Sequence, residues 1–179
     1  METVFIEEIV KRKKTATDYL ATAAVLALGA ALAAILITII LPVFIKFGTV
    51  VLLLVVAVFY GIYYFLQTVD VEFEYSLVNA EIDVDKIMGK KRRKRMVTVY
   101  IRDLEDFGTR KNPEFNRYMS NSDIKKVYAC RDKNADDIFF TVYNEGSTRI
   151  MLLFNPGEKI IDQIAKRNPK NLLYEKLRN

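Results

Sequence analysis

Histidine is absent from this 179-residue chain, and cysteine occurs once, at Cys130. Without histidine there is no neutral-pH proton shuttle, no imidazole metal ligand, and neither the Ser-His nor the Cys-His form of nucleophilic catalysis. One cysteine permits no internal disulfide and points to a reducing compartment for the part that carries it. As a nucleophile Cys130 would need an activating neighbour, and Arg131 beside it is weak support, so a small buried core side chain is the expected role. A third absence is more telling. Residues 19–41 and 48–66 contain no Asp, Glu, Lys, Arg, Asn or Gln. A pathway for protons or ions leaves ionisable side chains facing a cavity, so these two runs do not make a transporter or channel by themselves.

The runs are 23 and 19 residues long. As helices they would measure about 35 Å and about 28 Å, against a hydrocarbon core of about 30 Å. Only residues 42–47 separate them, too few to cross back and too apolar for a soluble linker. A transmembrane helical hairpin follows, with residues 42–47 as a short extracytoplasmic turn. Lys11 to Lys14 before residue 19 followed by apolar residues and Ala31-Leu32-Ala33 also imitates a cleaved signal peptide. The apolar run continues past that point to Leu41, and four acidic residues sit in the supposed basic leader, which favours a retained span.

Basic residues set the orientation. Lys11, Arg12, Lys13 and Lys14 precede the first run, Lys46 alone lies in the turn, and Lys90, Lys91, Arg92, Arg93, Lys94 and Arg95 follow the second. By the positive-inside rule both termini are cytoplasmic and the protein is a two-span, multi-pass protein of the cell membrane. Tyr19, Phe44, Phe47, Tyr60, Tyr63 and Tyr64 suit the two interfaces, although aromatic side chains also pack between helices. Small residues recur at intervals of three and four in the first run, including Ala27, Ala31 and Ala34, and Ala57 and Gly61 stand four apart in the second. Such stripes let backbones approach within the hairpin, or between copies in a homodimer. Residues 1–18 read as an amphipathic basic segment, a surface helix over residues 2–14 with Val4, Phe5 and Ile9 on one side. The plainer alternative is a frayed terminus whose charges only set topology.

From residue 67 the period changes from helical to two. Val69, Val71, Phe73, Tyr75 and Leu77 alternate with Asp70, Glu72, Glu74 and Ser76. A second strand is expected over 81–87 and a third over 96–101. Residues 109–123 are polar and irregular, with a short helix over 113–119. A fourth strand covers 124–130. Residues 138–143 and 148–154 form a hairpin through Gly146, a helix runs over 158–167 until Pro169 stops it, and Leu172, Leu173 and Leu177 make a last short helix. Meandering strands followed by one helix call for a compact antiparallel domain covered by that helix.

Residues 73–87, 91–101 and the closing Phe154-Asn155-Pro156 with its helix resemble a bacterial pleckstrin-homology-like domain. The whole chain is similar to an uncharacterised group of small Firmicutes membrane proteins. The resemblance implies an α+β fold in which residues 67–179 form a cytoplasmic antiparallel β-sandwich or partly open barrel, capped by a C-terminal helix. It implies binding, scaffolding or membrane assembly, and carries over no catalytic residue.

Lys90 to Arg95 are six consecutive positive charges that repel one another, so solvent or an anion must compensate them. Contact with anionic lipid headgroups, a partner-protein or other anion site, and a solvated loop are the three readings, with Lys11 to Lys14 as a second basic contact. Asp83, Asp85, Asp103, Glu105 and Asp106 imitate a metal cluster but lack the oxygen-ligand spacing of a calcium loop, and balance the neighbouring bases instead. Lysines interleaved with Tyr128 and Tyr143 come without a stacking motif or recognition helix, so nucleic acid is not an expected partner. No cofactor, metal or small-molecule substrate is expected. The sequence therefore reads as a membrane-anchored, noncatalytic binding or scaffolding protein for anionic lipid or a membrane protein. A membrane enzyme working through carboxylates, or an accessory subunit of a transporter or secretion complex, are the alternatives.

Overall fold

The structure is a computed structural model that describes residues 4–43 and 45–172. Two compact units are present. The β unit takes the chain up to Lys13, Glu72–Ile87 and everything from Lys91, and the helical unit takes Lys14–Val71 with Met88–Lys90.

In the helical unit, α1 (Ala16–Ile35) starts at a reciprocal cap, with the Asp18 amide donating to Thr15 Oγ1 at 3.4 Å and the Thr15 amide donating to Asp18 Oδ2 at 2.8 Å. A π-helical segment, Leu36–Ile40, follows, in which the Leu41 amide bonds back to the Leu36 carbonyl. Pro42 explains the widened turn, because it has no amide to continue an i→i−4 ladder and its ring crowds the preceding turn. The short α2 (Leu41–Val43), a 3-10 turn over Ile45–Phe47 and the long α3 (Gly48–Val69) complete the unit. A Cβ on Gly29 would overlap the Ile62 side chain, so α1 and α3 approach closely at this glycine. The buried side chains are Ala33 on α1 and Val51 and Val55 on α3. Ala27, Ala31, Ala34, Ala57 and Gly61 are exposed within the chain, and a Cβ on Gly61 would meet nothing within 4 Å.

The β unit holds two four-stranded sheets. Sheet A has the order β1 (Phe5–Lys11), β2 (Val71–Val78), β3 (Glu81–Met88), β4 (Arg92–Tyr100). The helix expected over residues 2–14 is thus a strand over Phe5–Lys11, with residues 1–3 outside the described part. Ile6, Glu8 and Val10 turn toward the core, and β1 pairs antiparallel with β2 from Phe5↔Val78 to Lys11↔Glu72. A seven-residue segment satisfies periods of two and four equally well, and a partner more than sixty residues away decided between them. The whole helical hairpin is therefore the connection between β1 and β2.

Sheet B has the order β5 (Leu104–Thr109), β7 (Phe139–Glu145), β8 (Thr148–Phe154), β6 (Lys125–Ala129). β6 lies parallel to β8, which corrects the all-antiparallel expectation. Ile150 to Phe154 are buried on both faces, so β8 belongs at an interior position, and β6 takes the edge beside it. One face of sheet B packs toward sheet A, where the Tyr75 ring meets Phe154 edge-on at 5.7 Å. The other face is covered by α4 (Pro113–Ser120), whose Phe115 and Tyr118 lie against Phe140 in a second core with Cys130, Met151 and Leu153.

The closing helix α5 (Glu158–Arg167) buries Ile160, Ile161 and Ile164. Asn168 ends it by donating through Nδ2 to the Ile101 and Leu104 carbonyls, both at 2.8 Å. The short helix expected around Leu173 and Leu177 lies outside the described residues. Leu172 forms an isolated parallel bridge with Phe107.

Candidate functional site

In an antiparallel meander, connections alternate between the two ends of a sheet. The β1–β2 connection and the β3–β4 turn leave sheet A at one end, and the Asn79-Ala80 turn leaves it at the other. The chain thus leaves β1, re-enters at β2 and turns from β3 to β4 at one end of that sheet.

Gly89 and Lys90, in the three-residue turn Gly89-Lys90-Lys91, both have positive φ, +56° and +58°. Gly89 is obligatory here, because a Cβ would lie 2.6 Å from the Cβ of Gln67. Its amide donates to the Asp70 carbonyl at 2.8 Å, which ties the turn to the end of α3. Lys90 is exposed on the rim of a 290 Å³ hollow lined also by Tyr63, Leu66 and Gln67.

The rest of the basic run is not a loop. Arg92, Arg93, Lys94 and Arg95 open strand β4, and two of them are neutralised by the sheet itself. Arg93 lies 2.7 Å from Glu74 Oε2, as an ion pair without hydrogen-bond alignment. Arg95 meets Asp85 at 2.5 Å and Asp83 at 2.6 Å, and Thr98 Oγ1 donates to Asp83 at 2.7 Å. The hydrogen bond that Arg95 donates to Asp85 raises its guanidinium pKa further. Glu74 is 3% exposed beneath a thin cover, and burial raises its pKa while the Arg93 charge opposes that rise. The expected balance between Asp83, Asp85 and nearby bases is therefore real, and it leaves Lys90 and Lys94 as exposed charges with no carboxylate partner among the described residues.

The earlier basic cluster divides similarly. Lys11 stands opposite Glu72 in the β1–β2 register. The Lys13 amide donates to the Arg131 carbonyl at 2.8 Å, and its ammonium lies 3.4 Å from Asp132. The Asn134 amide and, secondarily, Lys13 hold the Asp132 carboxyl below its ordinary range. Arg12 is half-buried and Lys14 exposed.

The other carboxylates do not converge. Asp103 lies beside Arg102 at 3.5 Å, Glu105 pairs with Arg149 and Asn144, and Asp106 accepts from the Tyr118 hydroxyl. Among the described residues no group of three or more Cys, Asp or Glu is placed to hold a metal ion. Burial pushes the Cys130 thiol pKa up, which suits a packed side chain and opposes a thiolate. What the sequence reading missed is Glu8. Its carboxylate accepts from the Gly157 amide at 2.6 Å and fastens β1 to the start of α5. The alternation of Ile6, Glu8 and Val10 was the available signal.

The family described as Bacterial PH-like domain (DUF6106) matches residues 2–174. The chain belongs to this family. Its matched span encloses β1, both long helices and the strands from β2 onward, so in DUF6106 the hairpin lies inside the domain rather than ahead of it. No curated protein and no solved structure matches the chain. PH-like domains are characteristically noncatalytic scaffolding modules, and their fold is generally associated with binding lipids or proteins.

Proposed function

We propose that this protein is a membrane-anchored binding module whose two long helices cross the bilayer as a hairpin and hold the β unit at the cytoplasmic surface. The helical stretches Ala16–Val43 and Ile45–Val69 have 28 and 25 residues, long and apolar enough to cross a membrane. Within them, residues 19–41 and 48–66 are the apolar spans and 42–47 the extracytoplasmic turn. Most of their large side chains, such as Leu20, Leu28, Ile45 and Leu52, are exposed within the chain, which calls for an apolar medium around them. The observation that carries the reading is the pairing of Lys11 with Glu72. The chain leaves β1 and re-enters at β2 side by side, which supports both flanks of the hairpin lying on one side of the membrane, and the basic turn leaves the sheet at that end.

At that end, Lys90, Lys94 and Lys14 attract anionic headgroups by about 1 kcal/mol each when close to the surface. Confinement to two dimensions raises the local concentration of weak partners, lipid or membrane protein, without any tight site. The outward Ala27, Ala31, Ala34, Ala57 and Gly61 leave room for a second copy or another span in the membrane.

Single-cysteine labelling tests the arrangement. In a Cys130→Ala background, Lys46→Cys should react with an impermeant maleimide in intact cells, and Lys90→Cys only after permeabilisation. Labelling of Lys90→Cys in intact cells, or recovery of the chain in the soluble fraction without detergent, would overturn it.

A further inference from the structure

Among the described residues, β1 is the outermost strand of sheet A and has a partner strand on one side only. Its other edge faces a groove of 490 Å³ whose far wall is the first turn of α5. Native sheets usually blunt such an edge with proline, lysine, a bulge or a covering segment. Here β1 runs for seven residues without proline, its one lysine, Lys11, stands at the end, and its outward face carries Phe5 at 64% and Ile9 at 57% exposure. The groove is acidic, with Glu7, Glu8 and Glu158 against Lys159. Glu7 and Glu158 are both exposed, and Glu7 adds to the charge crowding that raises the Glu74 pKa.

We infer that this edge binds an extended basic segment of a partner membrane protein, which joins sheet A as a fifth strand. Backbone hydrogen bonds to β1 provide the affinity, and the side chains on one face of the added strand meet Phe5, Glu7 and Ile9, with Glu158 across the groove. Two observations select this occupant. The first is charge: Glu8 is held by the Gly157 amide, and the exposed Glu7 and Glu158 outnumber Lys159 in the groove, so a basic strand is favoured over an acidic one. The second is the tether, which rests on the membrane-anchor reading above. Only Arg12, Lys13, Lys14 and Thr15 separate β1 from α1. Four residues reach at most about 14 Å, so the edge stays near the cytoplasmic surface, where the flanks of membrane proteins are rich in lysine and arginine.

The test uses the full chain in nanodiscs of phosphatidylcholine, which has no net charge to attract a basic peptide. The probe is a fluorescent nonapeptide alternating lysine and valine. Saturable binding is expected. N-methylation of one set of alternate amides should abolish it, and N-methylation of the other set should leave it intact, because only one set faces the edge. Replacing the peptide lysines with glutamate should weaken binding at least tenfold, and Glu7→Lys with Glu158→Lys should reverse that preference. Equal binding of all the peptides, no saturable binding, or an unchanged preference in the double variant would overturn the proposal. So would a disulfide-linked dimer of Ile9→Cys in the Cys130→Ala background, which would put a second copy on the edge. Incorporation is a separate readout: a chain that enters nanodiscs and ignores the peptide loses only the edge, whereas one that stays soluble without lipid loses the anchor.

Discussion

Ile150 to Phe154 of β8 are five consecutive buried residues, whereas in β4 only Val97 and Val99 are buried and seven of nine positions are partly or fully exposed. Sheet B is covered on one face by the main core and on the other by α4 and its flanking segments. Sheet A is covered on one face. Its outer face carries ion pairs, and its β1 edge is open. The stability of the β unit therefore concentrates in sheet B, and its capacity to meet a partner in sheet A. The largest test of that division is Phe140→Ala. Phe140 is fully buried between Phe115 and Tyr118, and its truncation should cost about 3–5 kcal/mol. Tyr100→Ala on the outer face of sheet A, where the ring carries Arg102 at 5.2 Å, should cost under about 1 kcal/mol. Urea unfolding of the full chain in detergent, followed by circular dichroism of the β unit, compares the two. Similar losses would remove the distinction.

The same division explains what could be read from the residues in order. β2, β3, the β7–β8 hairpin and α5 follow from period and turn chemistry in one short window, and α5 runs over the expected residues, Glu158–Arg167. β1 did not follow, because Phe5 and Ile9 four apart imitate a helix and the deciding partner, β2, lies beyond the whole hairpin. The parallel β6–β8 pair was equally hidden, since pairing direction is set by which strand must be interior. In the hairpin the small-residue stripe was legible, but which side faces inward was decided by Gly29 against Ile62. In the basic run the charges were plain. That Arg93 is held by Glu74, nineteen positions earlier, depends on strand pairing.

A finer test separates bases that serve the fold from bases left outside it. Arg93→Gln with Arg95→Gln removes the partners of Glu74, Asp83 and Asp85, and should lower stability by about 1–2 kcal/mol. Lys90→Gln with Lys94→Gln should leave the urea midpoint unchanged. It should instead reduce the preference for anionic over zwitterionic spin-labelled lipid at the protein boundary by up to about 1 kcal/mol per residue, an effect that fades at high salt. Electron paramagnetic resonance reads the preference. If the lysine pair destabilises the fold as much as the arginine pair, or the arginine pair loses more lipid preference, the two groups are not distinct.

The smallest effect should come from Glu74, the more deeply buried of the two carboxylates, Glu74 and Asp85, buried in the open sheet. Burial raises its pKa above the ordinary 4.5, and Glu7 and Asp85 add to the rise while Arg93 and Arg95 oppose it. A raised acid pKa means that the folded state holds the proton more tightly than the unfolded chain does. The corresponding stability is fully present below pH 4.5 and is lost as pH rises through the raised value. Glu74→Gln cannot titrate, so its stability relative to the native chain should improve as pH rises from 4 to 7. Adding Arg93→Gln to the native chain should steepen that loss, because it removes the strongest opposing charge. Urea midpoints across this pH range read the slope. A flat difference between the native chain and Glu74→Gln would mean that water reaches Glu74 as freely as it reaches the lysines, and that the outer face of sheet A is wet throughout.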